Sequence, residues 1–271
     1  MLRLVSFGLL GLLVSTASQA NCVFRNGFES NDSDCLADLV LPPGTSWQWQ
    51  LSGTLDTGFD VDMYDVDLVE TSQASINQLK AAGRKVICYF SAGSWESYRP
   101  DADAFPAGVK GSQLDPPFSD ELWLDIRQLD VLGPIMGARL DLAVSKGCFG
   151  VEPDNVDGYS NSSGFPLSAA DQLAYNRWLA QQAHARGLSV GLKNDLDQVE
   201  ALVNDFDWAL NEQCFEYDEC ELLTPFIDAG KAVFGVEYHL PSSSFCPQAN
   251  AMNFDWLKKN IELDAFRESC R

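Results

Sequence analysis

The stretch Val151-Glu152-Pro153-Asp154-Asn155-Val156-Asp157-Gly158-Tyr159 sets three carboxylates where an apolar run, Gly147-Cys148-Phe149-Gly150-Val151, gives way to a loop. Alternate residues of a strand share a face, so Glu152 and Asp154 point the same way. Carboxylates that meet in this manner can exchange protons with a substrate or attack it; otherwise they form a solvated acidic turn. Two further apolar runs end alike, in Phe206-Asp207-Trp208-Ala209-Leu210-Asn211-Glu212-Gln213-Cys214 and in Lys231-Ala232-Val233-Phe234-Gly235-Val236-Glu237-Tyr238. That recurrence favours a site over a turn, with Asp154, Glu212 and Glu237 expected at one rim.

Such a rim forms where parallel strands end together. The strand-like runs are 47–51, 61–68, 85–90, 150–154, 188–192, 208–212, 232–238 and, weakest, 261–266. Helical patterns fall at 72–82, 131–146, 168–186, 195–205, 221–229 and 254–260. Gly83, Gly147, Gly187 and Gly230 sit where αβ loops are capped. This alternation predicts an α/β chain folded as a (β/α)8 barrel, with catalytic residues at the C-terminal ends of the strands. An open doubly wound sheet is the alternative, but no Gly-x-Gly-x-x-Gly turn or phosphate loop is present.

Residues 1–20, one arginine followed by an apolar stretch and Ser18-Gln19-Ala20, read as a secretion signal. Residues 21–40 form a Cys-containing leader and 41–271 the catalytic domain, exported to an extracellular or periplasmic space. The eight cysteines fit an oxidising compartment. Local spacing favours Cys22–Cys35, Cys214–Cys220 and Cys246–Cys270, leaving Cys88 and Cys148 either paired or as buried thiols. The formal charge is −21, one unit more negative without Arg3. This argues against nucleic acid or an anionic membrane as partner, and suits a cationic polymer. A monomer is expected.

Several chemistries are disfavoured. The only histidines are His184 and His239, so a His-rich zinc site is not expected, and no Gly-x-Ser-x-Gly elbow supports a serine nucleophile. The Asp154–Asp157 stretch also departs from a calcium-loop pattern. No metal or cofactor is expected. Paired carboxylates on an exported barrel with seven tryptophans point instead to glycoside hydrolysis, where one carboxyl protonates the leaving oxygen and another attacks the anomeric carbon or activates water. Trp47, Trp49 and Trp95, near strands, are candidate sugar platforms, whereas Trp178 and Trp256, on expected helices, read as core.

The segments Trp47-Gln48-Trp49-Gln50-Leu51-Ser52-Gly53, Val86-Ile87-Cys88-Tyr89-Phe90-Ser91-Ala92-Gly93, Trp123-Leu124-Asp125-Ile126-Arg127, Glu152 to Tyr159, Gly191-Leu192-Lys193-Asn194 and Asn211-Glu212-Gln213-Cys214 resemble, in order and spacing over 45–265, glycoside hydrolase family 114. The resemblance implies a (β/α)8 barrel with endo-α-1,4-polygalactosaminidase activity on cationic galactosamine-rich polysaccharide. It also implies Asp154 and Glu212 as the catalytic pair. Around that pair, Glu152 and Asp157 are expected to raise a neighbour's pKa by like-charge repulsion. Trp49, Tyr89, Asp125, Glu152, Asn155, Asp157, Lys193, Asn194, Asn211, Glu237 and Tyr238 are expected to contact sugar.

Asp154 and Glu212, on the strands counted fourth and sixth, are expected to bring their carboxyls to about 5–7 Å, which points to retention with Asp154 as nucleophile and Glu212 as acid/base. Two rival readings are a Schiff-base enzyme using Lys193 and a barrel that binds carbohydrate without turnover.

Overall fold

The computed structural model describes residues 39–271; the expected signal, most of the leader and the Cys22–Cys35 pair lie outside them. The described chain forms a (β/α)8 barrel. Eight parallel strands follow one another around it: β1 Trp47–Gln50, β2 Met63–Asp67, β3 Lys85–Ser91, β7 Gly150–Asp154, β8 Ser189–Lys193, β9 Trp208–Glu212, β10 Val233–Glu237 and β11 Asp255–Lys258. The short β12, Glu268–Ser269, pairs antiparallel with β11. Between β1 and β11 the seam is held by other contacts. Trp47 Nε1 donates to the Asp255 carbonyl at 2.9 Å, Gln48 Nε2 to that of Ala265 at 3.0 Å and Leu51 N to that of Leu263 at 2.9 Å.

Side-chain alternation divides the apolar residues into two cores. Trp47, Trp49, Met63, Ile87, Trp208, Leu210, Phe234, Val236 and Leu257 fill the barrel interior. The intervening residues, among them Tyr64, Val66, Val86, Cys88, Phe90, Val151, Ala209 and Trp256, pack outward beneath the helices. Strands covered on both faces read as nearly unbroken apolar runs, which is why the runs at β3, β7, β8, β9 and β10 were recognisable. Bulky rings need room on the neighbouring strand. A Cβ on Gly235 would lie 2.1 Å from the Trp256 ring.

The longer helices are α1 Gln73–Ala81, α2 Leu129–Lys146 and α3 Ala169–His184, the last closed by a Ser168/Asp171 capping box. The expected helices at 195–205 and 221–229 shrink to α4 Val199–Leu202 and α6 Thr224–Asp228, each preceded by a 3-10 turn; α5 is Cys214–Tyr217. The expected helix at 254–260 is instead β11, and the expected strand at 261–266 is not one. Phe254 and Trp256 face the helix layer while Leu257 faces the interior, so the period of two is hidden in adjacent apolar residues. The helix α7 Ser242–Ala251 buries only Phe245 and Ala249 and contains Pro247, a weak signal that sequence reading passed over.

After β3 the chain makes an unexpected antiparallel sheet: β4 Ser94–Glu96, β5 Lys110–Gln113 and β6 Glu121–Leu124, with β6 central. Disulfides join Cys88–Cys148, Cys214–Cys220 and Cys246–Cys270, so Cys88 and Cys148 are bonded rather than free thiols. Among the described residues no helix is long and apolar enough to cross a membrane.

Candidate active site

The last inward residues of β7, β8 and β9 converge on one cation. Lys193 Nζ lies 3.0 Å from Asp154 Oδ1, 3.2 Å from Glu212 Oε2 and 3.2 Å from Glu152 Oε1. Its side chain is 2 % exposed and that of Glu152 0 %, against 17 % for Asp154 and 26 % for Glu212. Asp154 and Glu212 therefore reach the open cleft, while Glu152 lies behind them. Burial alone would lower the pKa of Lys193, but the charges of Asp154, Glu212 and Glu152 more than offset it and hold the ammonium well above its ordinary range. A Schiff-base lysine must present a neutral amine, so the reading of Lys193 as a nucleophile loses its basis.

Each exposed carboxylate is fixed at both oxygens. Asp154 Oδ1 also accepts from Asn155 N at 2.7 Å, and Oδ2 accepts from the Tyr89 hydroxyl at 3.1 Å. Glu212 Oε1 accepts from the Tyr238 hydroxyl, and Oε2 from Asn194 Nδ2 at 3.2 Å. Asn194 in turn accepts at Oδ1 from Glu212 N at 3.0 Å and from Asn211 Nδ2 at 3.2 Å. Asn155 adopts φ 60° and donates to Ser91 Oγ at 3.0 Å and Ser94 Oγ at 3.2 Å, tying the end of β7 to that of β3. A Cβ on Gly93 would lie 1.7 Å from the Asn155 carbonyl, so only glycine admits this approach.

Not every expected site residue faces the cleft. Glu237 occupies the outward face of β10, fully buried, with Oε1 accepting from Phe215 N at 3.0 Å; the inward position falls to Tyr238. Period-two alternation explains the correction, because Phe234, Val236 and Tyr238 share the interior face. Asp125 lies away from the cleft, bonded to Arg127 Nε at 2.7 Å and to Arg127 Nη2 at 3.0 Å, which lowers its pKa. Asn211 is 2 % exposed and supports Asn194 and Cys214 N rather than lining the cleft.

The expected sugar platforms also differ. Trp49 is 1 % exposed, with Lys193 Nζ 4.8 Å from its ring centre, and Trp47 lies beneath it. Trp95 is covered by Lys110 Nζ at 3.8 Å. Trp49, Tyr89 and Tyr238 nevertheless line the cleft, joined there by Tyr98, Phe118 and Trp123 from the insertion that sequence reading did not anticipate. Trp178 and Trp256 pack in the outer core, as expected.

Asp65 was also missed, because Met63-Tyr64-Asp65-Val66-Asp67 reads as an ordinary strand. Its carboxyl is fully buried on the interior face next to Glu152, without a backbone donor, and burial followed by the charge of Glu152 keeps it protonated well above the usual carboxylate range. Glu152 itself is pushed up to about 7 by burial and by Asp154 despite Lys193, and Asp157 up to about 6 by burial and by Asp154. The like-charge shift expected from Glu152 and Asp157 thus falls on these two residues themselves.

The cleft has a volume of about 500 Å³ and is rimmed by Asp67, Glu70, Asp120, Glu121, Asp157 and Glu262. Its one arginine, Arg99, is buried against Asp67 at 2.7 Å and Glu96 at 2.7 Å, so the rim keeps a negative field. Among the described residues no group of three or more His, Cys, Asp or Glu is arranged to hold a metal ion.

Two fixed carboxylates reaching an acidic cleft at the C-terminal mouth of a (β/α)8 barrel define a glycosidase-type site. The family profile described as glycoside-hydrolase family GH114 matches residues 30–271. The chain belongs to that family and is a glycoside hydrolase. It is similar to Ega3 of Aspergillus fumigatus, solved in complex with galactosamine, at 41 % identity and a TM-score of 0.80, covering 85 % of this chain and 96 % of that one. Its fold is shared with the glycoside hydrolase domain of PelA from Pseudomonas aeruginosa (14 % identity, TM-score 0.62, 84 % and 98 % covered). Amy13B of Eubacterium rectale shares the barrel more distantly (10 % identity, TM-score 0.51, 84 % and 68 % covered). No curated protein matches the chain by sequence.

Proposed function

We propose that the protein is an exported, endo-acting hydrolase of α-1,4-linked galactosamine-containing polysaccharide, working by retention with Asp154 as nucleophile and Glu212 as acid/base. The observation that carries this reading is the shared contact with Lys193. Because Asp154 Oδ1 and Glu212 Oε2 both touch Nζ, they are no further apart than the sum of 3.0 and 3.2 Å. Such a bound on one oxygen pair favours the roughly 5–5.5 Å between carboxyl groups of a retaining pair over the roughly 6.5–9.5 Å that admits water in an inverting one.

In the first step an Asp154 carboxylate oxygen attacks the anomeric carbon, while Glu212 delivers its proton to the glycosidic oxygen. The C–O bond breaks and the leaving chain departs as an alcohol. In the second step the Glu212 carboxylate takes a proton from water, whose oxygen attacks the same carbon. The glycosyl ester breaks and Asp154 returns to its carboxylate form. Oδ2, with Tyr89 as its one hydrogen-bond partner among the described residues, is the better placed attacking oxygen. Lys193 balances the charge of the pair throughout, and Tyr238 and Asn194 orient Glu212.

The acidic rim suits a polymer bearing protonated amines, and the galactosamine complex of the similar Aspergillus protein supports the same sugar here. The apolar run within residues 1–20 and the three disulfides support export. The test is incubation with α-1,4-linked galactosamine, N-acetylgalactosamine and mixed polymers, followed by sizing of the early products. Fragments of intermediate length from the amine-bearing polymers are expected; intact chains in every case would overturn the proposal.

A further inference from the structure

A second cavity, of about 260 Å³, opens beside the catalytic cleft and shares Asp157, Asn194 and Glu212 with it. It is formed by the loops after β7, β8 and β9. Glu212 lies on its wall and Asp154 does not. Its lining carries the carboxylates Asp157, Asp195, Asp197, Glu212 and Glu219 and, among the described residues, no lysine or arginine. Asp195, part of the lining, is 4 % exposed; its Oδ2 accepts from Asn176 Nδ2 at 2.8 Å, Tyr159 holds its pKa down against burial, and Oδ1 is buried without a geometric hydrogen-bond partner among the described residues. Tyr217, 63 % exposed, supplies an open aromatic face.

This side arm has a direction relative to the chemistry. With Asp154 bonded to the retained sugar, that sugar occupies the main cleft, and the oxygen protonated by Glu212 belongs to the unit beyond it. We propose that the arm is the subsite for the leaving-group side of the polymer and that it selects there a sugar bearing a free, protonated amine. Asp195, Asp197 and Glu219 would receive the ammonium and Tyr217 the sugar face. The inference rests on the assignment of Asp154 and Glu212 above.

Physical reasons favour a cation over a neutral sugar. An acidic pocket without a basic side chain leaves its field uncompensated, and a bound ammonium restores balance. Burial and the nearby Asp157 push Asp195 up to about 8; an ammonium in the arm would favour its ionised form and gain a charge-assisted contact. An N-acetylated unit brings neither the charge nor the donors.

The test uses a galactosamine polymer of mixed, known acetylation, digested briefly, with both newly made chain ends sequenced by mass spectrometry. New non-reducing ends report the arm, and new reducing ends report the main cleft. Wild-type enzyme should give non-reducing ends enriched in free amine about fivefold over the polymer's composition, the size expected of one or two partly exposed ion pairs. The Asp197→Asn/Glu219→Gln variant should lose that enrichment and leave the reducing ends as they were. Wild-type non-reducing ends that follow the polymer's composition would overturn the subsite while leaving the proposed function standing, as would a variant that keeps the enrichment. A wild-type enzyme that cuts none of these polymers would overturn both.

Discussion

The Lys193 ammonium stands 4.8 Å from the centre of the Trp49 ring, so a cation covers the indole face that a sugar would otherwise use. Trp49 is thereby a floor for the hub of the site. Replacing Lys193 with Met leaves the buried Glu152 facing Asp154 and Glu212 without a counter-charge, and breaking a buried pair in this way costs about 3–5 kcal/mol. Thermal unfolding should show that loss, and hydrolysis should fall by more than about 100-fold. The double variant Lys193→Met/Glu152→Gln should recover part of the stability without recovering activity. A Lys193→Met protein with wild-type melting and turnover would remove the ammonium from the account.

Asp154→Asn and Glu212→Gln should each fold normally and lose about 10²- to 10⁴-fold or more in turnover. The two differ in leaving-group dependence. On an activated aryl glycoside, which departs without a proton, Glu212→Gln should retain a rapid first step and accumulate the glycosyl ester, detectable by mass spectrometry. Asp154→Asn should form no ester on any substrate, and ester formation by that variant would reassign the nucleophile.

Tyr98 and Phe118 are 57 % and 46 % exposed on the cleft wall. Removing either ring should raise KM for long polymers by roughly three- to tenfold, in keeping with the size of an aromatic contact, and change kcat little. Steady-state kinetics on long and short substrates checks this; an equal effect on the shortest cleavable oligomer would place these rings next to the bond being cut.

Stability should fall as pH rises from about 4 to about 8. Burial pushes Glu121, Glu152 and Glu237 up to about 7, Asp157 up to about 6 and Asp195 up to about 8. In the unfolded chain these carboxyls ionise near pH 4, so across this interval the folded state binds more protons and its stability decreases with pH. Their stabilising effect is complete below the unfolded values and is lost as pH passes the folded ones. Melting temperatures measured across pH 4–8 should decline, and a rising curve would contradict the assignment of these groups.

The barrel was legible because β3, β7, β8, β9 and β10 are covered on both faces and read as apolar runs ending in polar residues. The same logic placed Asp154, Lys193 and Glu212 at strand ends, where they meet. Glu237 was misplaced although its parity was readable, since Val236 and Tyr238 already occupied the inward face. Asp65 was hidden because its importance depends on Glu152, which is distant in sequence and adjacent across the barrel interior. Tyr98, Phe118 and Trp123 belong to an antiparallel insertion whose short strands carry little periodic signal, and β11 was lost because Trp256 and Leu257, side by side in sequence, serve different cores.

The most direct test of the central claim is proton NMR of an α-1,4-linked galactosamine polymer during the first minutes of hydrolysis, before mutarotation mixes the anomers. Attack by Asp154 on the face opposite the leaving chain, followed by water on the face that chain vacated, predicts that the new reducing ends appear first as the α-anomer, with the β-anomer growing in later. New ends that appear first as the β-anomer would contradict the retaining pair of Asp154 and Glu212.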